Sequence, residues 1–141
     1  MRKKTNPQIV IAAVIEKDGC ILIAKRKRGK QHPGKWEFPG GTLEQGETHE
    51  QCLKRELQEE LAVAVEVGDI VCMSEYRYTS DWTIRLFAYR ATIISGDLTL
   101  NDHEEIRWVE PAGLTKYDFP EADGPVLEKL IKNTGISCNR R

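Results

Sequence analysis

The stretch that most constrains the fold of this chain runs from Gly41 to Val63. The glycines that follow Pro39 are expected to form a turn, because such a run extends neither a helix nor a strand cheaply. A helix is predicted to start at Glu47 or Thr48. Apolar or neutral side chains then recur on one face of that helix and predict a buried stripe: Cys52, Leu53, Leu57 and Leu61.

The same helix carries three clustered carboxylates, at Glu56, Glu59 and Glu60. Residues three and four apart share a helix face, so these side chains are expected within one sector of roughly 100°. Like charges at this spacing repel one another, and their presence beside a glycine turn indicates a site for hard divalent cations, which prefer oxygen ligands. The alternative is a solvated acidic face on which Arg55 pairs with Glu59.

The spacing within the stretch favours the metal site. It reads Gly41, five residues, Glu47, seven residues, and then REL-x-EE-x-AV from Arg55 onward. This pattern resembles the Nudix box, and every defined position matches except the last glycine, which is Ala62 here. That glycine closes the helix in the family, so the left-handed helix end is in question while the acidic residues are unaffected.

Alternating and β-branched segments predict strands around this helix, at residues 8–16, 20–27, 36–38, 66–78, 82–94 and 106–109. Lys17-Asp18-Gly19 predicts a hairpin turn, and 28–35 a loop. A short helix is expected over 111–116 and a closing helix from Gly124, with a frayed polar end from Asn133. These elements predict an α+β fold. The resemblance implies the Nudix α/β/α sandwich, with a mixed β-sheet between helices, as a single domain over 1–141 with its core at about 8–132.

Composition restricts the partners. A net charge of −1, with 30% charged and 40% hydrophobic residues, argues against a nucleic acid polymer as partner. No apolar run is long enough to cross a membrane. The four cysteines lack CxxC spacing, and Cys20, Cys52 and Cys72 lie in apolar patterns, which predicts reduced thiols in a cytoplasmic protein. Monomer and homodimer both remain open.

Pyrophosphate hydrolysis, which the resemblance implies, needs charge neutralisation that Mg²⁺, or Mn²⁺, can supply. Glu59 and Glu60 are expected as direct metal ligands, and Glu56 as a ligand or as the base that orients water. The family adds the carbonyl of Gly40 and an acidic residue six positions before a tryptophan. Counting back from Trp108 gives Asp102, with Glu105 as the alternative. Glu47 and Arg55 pair in the family, so their role is expected to be structural first and catalytic second.

The resemblance to MutT-like members extends beyond the box, to Trp36-Glu37-Phe38-Pro39-Gly40-Gly41 and to the segment 117–126. It implies that Arg26 contacts phosphate, as a guanidinium can do with two hydrogen bonds. Asp123 falls where such proteins read the base edge, and capping of the last helix is the alternative. His103 is expected as a loop residue rather than a catalyst. Further candidates for the substrate pocket are Phe38, Gly41, Tyr78 and Trp82.

The expected reaction is metal-dependent hydrolysis of a nucleoside triphosphate to a monophosphate and pyrophosphate, on damaged or non-standard nucleotides of the 8-oxo-dGTP or modified dCTP type. Nucleotide-pool sanitation is the implied role. Two alternatives remain: hydrolysis of another nucleoside diphosphate-X substrate such as ADP-ribose, and a non-catalytic nucleotide-binding module. Base identity, ribose against deoxyribose and the number of metal ions stay open at this point.

Overall fold

The computed structural model describes residues 7–27 and 34–138, with side chains described to residue 132. Residues 28–33 of the loop predicted at 28–35 therefore lie outside the described residues. The strands are β1 (Gln8–Lys17), β2 (Cys20–Arg26), β3 (Trp36–Glu37), β4 (Gly40–Thr42), β5 (Ala64–Thr79), β6 (Trp82–Ser95) and β7 (His103–Val109). The α-helices are α1 (His49–Leu61) and α2 (Gly124–Cys138), and short 3₁₀ helices span Pro111–Lys116 and Glu121–Asp123.

The seven strands form a mixed sheet in the order β3-β2-β1-β6-β5, with β4 also paired to β1 and β7 to β2. β1 runs parallel to β6, and the other pairings are antiparallel. The predicted hairpin between β1 and β2 is confirmed. Asp18 and Gly19 both have positive φ, at 53° and 80°, as the favoured two-residue hairpin turn requires.

Side chains of β1 alternate between two cores, one on each face of the sheet. Ile11 and Ile15 pack in the core that α1 covers, together with its buried stripe of Cys52, Leu53, Leu57 and Leu61. Ala12 and Val14 face the other core, which α2 covers through Val126 and Leu130. This arrangement is the predicted sandwich, with the sheet between two helical layers. Among the described helices, none has the length and apolar character needed to span a bilayer.

The turn predicted at Pro39-Gly40-Gly41 is wrong, because Gly40–Thr42 is a strand that pairs with β1. The glycines are needed for close packing rather than for chain reversal. Gly40 has φ 150°, and a Cβ there would meet the backbone carbonyl of Ile11. Glycine can therefore extend a strand where any side chain is excluded by the neighbouring strand.

Helix α1 has defined caps at both ends. Thr48 is the N-cap, and its hydroxyl accepts from the Gln51 amide while the Gln51 side chain accepts from Thr48, a capping box. At the other end, Ala62 adopts the left-handed conformation with φ 60° and donates its N–H to the Gln58 carbonyl. The helix end that the sequence left in question is therefore formed with alanine in place of glycine.

Ala62→Gly is expected to stabilise the protein by about 1 kcal/mol, because the left-handed region costs an alanine that much and a glycine almost nothing. The measurement is the free energy of unfolding in urea, with nucleotide hydrolysis unchanged. Ala64→Gly, two residues later at the start of β5, is the control and should destabilise. Equal effects of the two substitutions would show that the conformation of Ala62 carries no strain.

Candidate active site

One cavity of about 290 Å³ lies where β1, β4 and α1 meet the segment before α2. Its lining includes ten of the residues that the sequence proposed for the site: Arg26, Phe38, Gly40, Gly41, Glu56, Glu60, Tyr78, Trp82, Asp102 and Asp123. Arg55 and Glu59 are not part of this lining. The cavity therefore collects residues from distant parts of the chain into an acidic end and an aromatic end.

The acidic end is built from one turn of α1. Glu56 and Glu60 are four residues apart, so both carboxylates reach the cavity from the same helix face. Glu60 is only 7% exposed, and the Gly40 amide donates to its Oε1 at 3.4 Å. Burial, the adjacent Glu56 carboxylate and the charge of Glu37 raise the pKa of Glu60 to about 10.

This donor set fits a hard divalent cation. The Glu56 and Glu60 carboxylates are crowded, and Glu60 is buried with no ion pair to a positive side chain in the part of the chain that the structure describes. Such a pair is stabilised when a cation neutralises it. Among the residues that the structure describes, no three His, Cys, Asp or Glu side chains converge into a ligand group. An open set of this kind suits an ion such as Mg²⁺, which binds through one or two carboxylates and keeps water and substrate oxygens.

Asp102 reaches the cavity because the preceding loop is tied to the end of α1. The Asn101 amide donates to the Glu60 carbonyl at 3.1 Å, and its side-chain nitrogen donates to the Glu59 carbonyl at 3.1 Å. These bonds also satisfy carbonyls that the last turn of a helix leaves unpaired. Glu105, the alternative from the sequence, instead pairs with Arg107 at 2.6 Å and does not line the cavity.

Arg55 braces the loop before α1 against the helix, as the resemblance implied. Its Nε lies 2.5 Å from Glu47 Oε2, and a second nitrogen contacts Glu56 Oε2 at 3.0 Å. The hydrogen bond from Arg55 lowers the pKa of Glu47 to about 2. Glu59 faces the same guanidinium at 3.4 Å, and its side chain is 60% exposed. Of the three helix glutamates, Glu59 is the one that does not line the cavity.

Gly41 leaves room for Glu56. A Cβ at position 41 would meet the Glu56 carboxylate, which is the flexible end of a side chain and can move aside. A Cβ at Gly40 would instead meet the backbone of β1, which cannot move without disturbing the sheet. Gly41 is therefore needed for the position of Glu56 in the site, and Gly40 is needed for the pairing of β4 with β1.

Gly41→Ala is expected to lower kcat/KM for nucleotide hydrolysis by roughly 10²-fold while the protein stays folded, because a displacement of about 1 Å in a reacting group has that effect. Steady-state kinetics and circular dichroism check the two parts. Gly68→Ala is the matched control, since a Cβ there makes only ordinary contacts with Arg90. Full activity in Gly41→Ala would show that catalysis does not depend on the position of the Glu56 carboxylate.

The aromatic end of the cavity has hydrogen-bonding groups among its rings. Phe38 packs against Phe119 with ring centroids 5.2 Å apart, and Tyr78 stacks on Trp82 at 4.7 Å. The Tyr78 hydroxyl accepts from the Ala122 amide at 3.0 Å, which ties β5 to the segment before α2. Such a wall suits a flat, partly polar ring.

Asp123 lies at this aromatic end and immediately precedes α2. Its side chain is buried, and the burial raises the pKa of Asp123 to about 8. The Glu37 carboxylate adds to this rise, while the Arg26 guanidinium opposes it. The raised pKa favours the protonated form of the Asp123 carboxyl, and a protonated carboxyl both donates and accepts hydrogen bonds.

Two cavity residues were missed or misplaced by the sequence. Glu37 was not singled out, although an acidic residue between Trp36 and Phe38, both buried, is itself a signal. His103 was expected in a loop, which is wrong, because it begins β7 and is buried. Glu37 contacts Arg26 at 2.6 Å through Oε1 and His103 Nε2 at 2.7 Å through Oε2.

The chain is similar in sequence and in fold to known proteins. The sequence model of the NUDIX domain matches residues 5–130. The chain is 40% identical to the CTP pyrophosphohydrolase of Escherichia coli K12, over 86% of this chain and 90% of that protein. It is 32% identical to the 8-oxo-dGTP diphosphatase of the same organism, over 87% and 95%. The solution structure of the E. coli ORF135 protein superimposes with a TM-score of 0.78 at 36% identity, covering 92% of this chain and 91% of that one.

Proposed function

The chain belongs to the Nudix family and is a Nudix hydrolase, and from that premise we propose that it cuts nucleoside triphosphates between the α and β phosphates, releasing a monophosphate and pyrophosphate. The observation that carries the proposal is the cavity itself. It joins a carboxylate pair, suited to a cation and a phosphate chain, to an aromatic end that holds Asp123. A nucleotide likewise has a charged phosphate chain at one end and a flat base at the other.

Nudix hydrolases use a divalent metal, and we propose Mg²⁺, with Mn²⁺ as a substitute. When bound, such an ion neutralises phosphate charge and lowers the pKa of a water molecule. The proposed ligands are the carboxylates of Glu56, Glu60 and Asp102 with the carbonyl of Gly40. Glu59 stays in the proposal as a further ligand, because the resemblance to the Nudix box includes it and because its side chain is 60% exposed.

The chain's own groups give the site its shape. Glu56, held by Arg55 at 3.0 Å, is proposed to orient the attacking water as well as to bind metal, which assigns Arg55 a positioning role. Arg26 is proposed to contact a phosphate oxygen. Gly41 keeps Glu56 in place, and Phe38 and Tyr78 are proposed to contact the base.

Asp123 is proposed to read the base edge. An ionised carboxylate would only accept hydrogen bonds and would favour amino or imino donors, such as the cytosine N4 amino group. The raised pKa changes that expectation, because the neutral acid can also donate to a ring nitrogen or a carbonyl oxygen. This supports both the modified dCTP and the 8-oxo-dGTP types as substrates, in line with the names of the two E. coli relatives.

The role that follows is sanitation of the nucleotide pool, in which damaged or non-standard triphosphates are removed before a polymerase uses them. Free nucleotides, rather than a nucleic acid polymer, are the proposed partners, in keeping with the net charge of −1. We propose a cytoplasmic location, where that pool lies.

A nucleotide panel tests the reaction. Each triphosphate is incubated with Mg²⁺, and phosphate is measured with and without added inorganic pyrophosphatase. Phosphate that appears only with pyrophosphatase, together with a monophosphate product, is the expected result. Turnover of ADP-ribose in place of triphosphates would favour the diphosphate-X alternative, and binding without any product would favour the non-catalytic alternative.

A further inference from the structure

His103 is a buried histidine whose two ring nitrogens differ in their surroundings. It is 3% exposed and lines the cavity. Its Nε2 lies 2.7 Å from Glu37 Oε2, whereas its Nδ1 has no hydrogen-bond partner among the described residues. Buried polar atoms are nearly always paired in folded proteins. Burial of the unpaired Nδ1 costs free energy, so we expect His103 to have a role that offsets this cost.

An irregularity in the sheet brings His103 to this place. Ala24 pairs with Ile106 and Lys25 with Glu105, so a regular antiparallel register would set Glu104 opposite Arg26. The register shifts between Lys25 and Arg26, and His103 takes that position instead. A bulge of this kind redirects side chains, and bulges are frequent beside active sites.

The result is a hydrogen-bonded unit across three adjacent strands. Arg26 on β2 and His103 on β7 approach Glu37 on β3 from two sides. Because a carboxylate accepts hydrogen bonds, the hydrogen of the His103–Glu37 pair belongs to Nε2. Each oxygen of Glu37 then has its own donor, which fixes the rotation of the carboxylate and, through Oε1, the position of the Arg26 guanidinium.

All three residues of this unit line the cavity. The charge of Glu37 influences both Glu60 at the acidic end and Asp123 at the aromatic end. Displacement of Glu37 would therefore change the surroundings of both ends of a bound nucleotide. A donor that holds Glu37 in one orientation acts on substrate binding without touching the substrate.

We propose that His103 is a positioning residue for nucleotide binding, which acts by donating from Nε2 to Glu37 and so holding Arg26 against the cavity wall. The inference rests on the proposed function, because it takes the cavity as the site of a nucleoside triphosphate. It concerns binding rather than the chemical step. Loss of His103 therefore raises KM and leaves kcat nearly unchanged.

Two polar substitutions of similar size separate the two ring nitrogens. The amide of His103→Gln places an N–H close to the position of Nε2, whereas that of His103→Asn reaches only to the position of Nδ1. Binding of the α,β-methylene analogue of CTP, which cannot be cut at the proposed bond, is measured by calorimetry with Mg²⁺ present. We expect His103→Gln to bind as the wild type does and His103→Asn to bind about tenfold more weakly, the effect of one lost hydrogen bond to a charged group.

A double-mutant cycle with Glu37→Gln tests whether His103 acts through Glu37. The effects of His103→Asn and Glu37→Gln on Kd should be strongly non-additive, since both break one unit. Additive effects, unchanged binding by His103→Asn, or rescue by asparagine rather than glutamine would overturn the proposal. Thermal unfolding of each variant shows whether weaker binding merely follows a loss of folded protein, which would also count against it.

These experiments distinguish a failure of the proposed reaction from a failure of the proposed role of His103. A wild type that binds the analogue but hydrolyses no triphosphate would contradict the proposed reaction, while the binding pattern of the His103 variants would still support or overturn the positioning role. A wild type that does not bind the analogue would contradict the nucleotide site and the positioning role together.

Discussion

Glu60→Gln is expected to lower kcat/KM by about 10³-fold and to leave the metal-free protein folded with an equal or higher melting temperature. The loss of activity follows from removal of one metal ligand, since metal charge stabilises a phosphoryl-transfer transition state by several kcal/mol. The stability follows from burial. Glu60 is enclosed beside Glu56 and Glu37, and glutamine has nearly the same shape without a charge to bury.

Steady-state kinetics and thermal unfolding, each with and without Mg²⁺, measure both effects. Ligands that bind only the folded state raise its melting temperature, so the wild type should gain stability from the metal and Glu60→Gln should gain far less. Glu50→Gln is the matched control on the same helix, because Glu50 is exposed, lies outside the cavity lining and forms a surface ion pair with Lys54. Wild-type activity in Glu60→Gln would contradict the proposed role of Glu60 as a metal ligand.

Asp123→Asn is expected to stabilise the protein at alkaline pH, by on the order of 5 kcal/mol at pH 8, and to change the order of preferred bases. The carboxyl has a pKa of about 8 in the folded chain, against an ordinary value of 3.8. Between these values the folded state binds more protons than the unfolded state. The stability of the wild type therefore falls as pH rises from about 4 to 8, and asparagine removes that loss.

The measurement is the difference in unfolding free energy between Asp123→Asn and the wild type at several pH values, because other titrating groups cancel in the difference. A difference that does not grow with pH would show that Asp123 is not the buried acid described here. The nucleotide panel gives the second readout. A variant with an altered melting temperature and an unchanged order of base preference would assign Asp123 to capping of α2.

The parts of the fold that the sequence predicted well depend on local patterns. The buried stripe of α1 and the hairpin at Asp18-Gly19 follow from side-chain period and turn chemistry, which neighbouring residues decide. The strand at Gly40–Thr42 was missed because Gly40 is required by its close approach to Ile11 and Gly41 by the Glu56 carboxylate, both far away in the sequence. A local pattern cannot distinguish a glycine that turns the chain from one that admits a neighbouring strand.

The candidate site shows the same division. Glu56 and Glu60 could be placed from helix periodicity alone, and Asp102 could be distinguished from Glu105 only by where the loop is tied to α1. His103 was misplaced because one irregular pairing between β2 and β7 breaks the alternation on which strand predictions depend. Glu59 fits the pattern and nevertheless faces Arg55, since side-chain direction depends on partners as well as on position.

The central claim is that the carboxylates of α1 hold a divalent ion beside the phosphate chain of a bound nucleotide. A crystal structure with Mn²⁺ and α,β-methylene CTP, with the ion located by its anomalous signal, tests it most directly. We expect Mn²⁺ in direct contact with Glu56 and Glu60, phosphate oxygens in its remaining positions and the base beside Asp123. An ion bound elsewhere, or a nucleotide whose phosphates lie away from this helix, would contradict it.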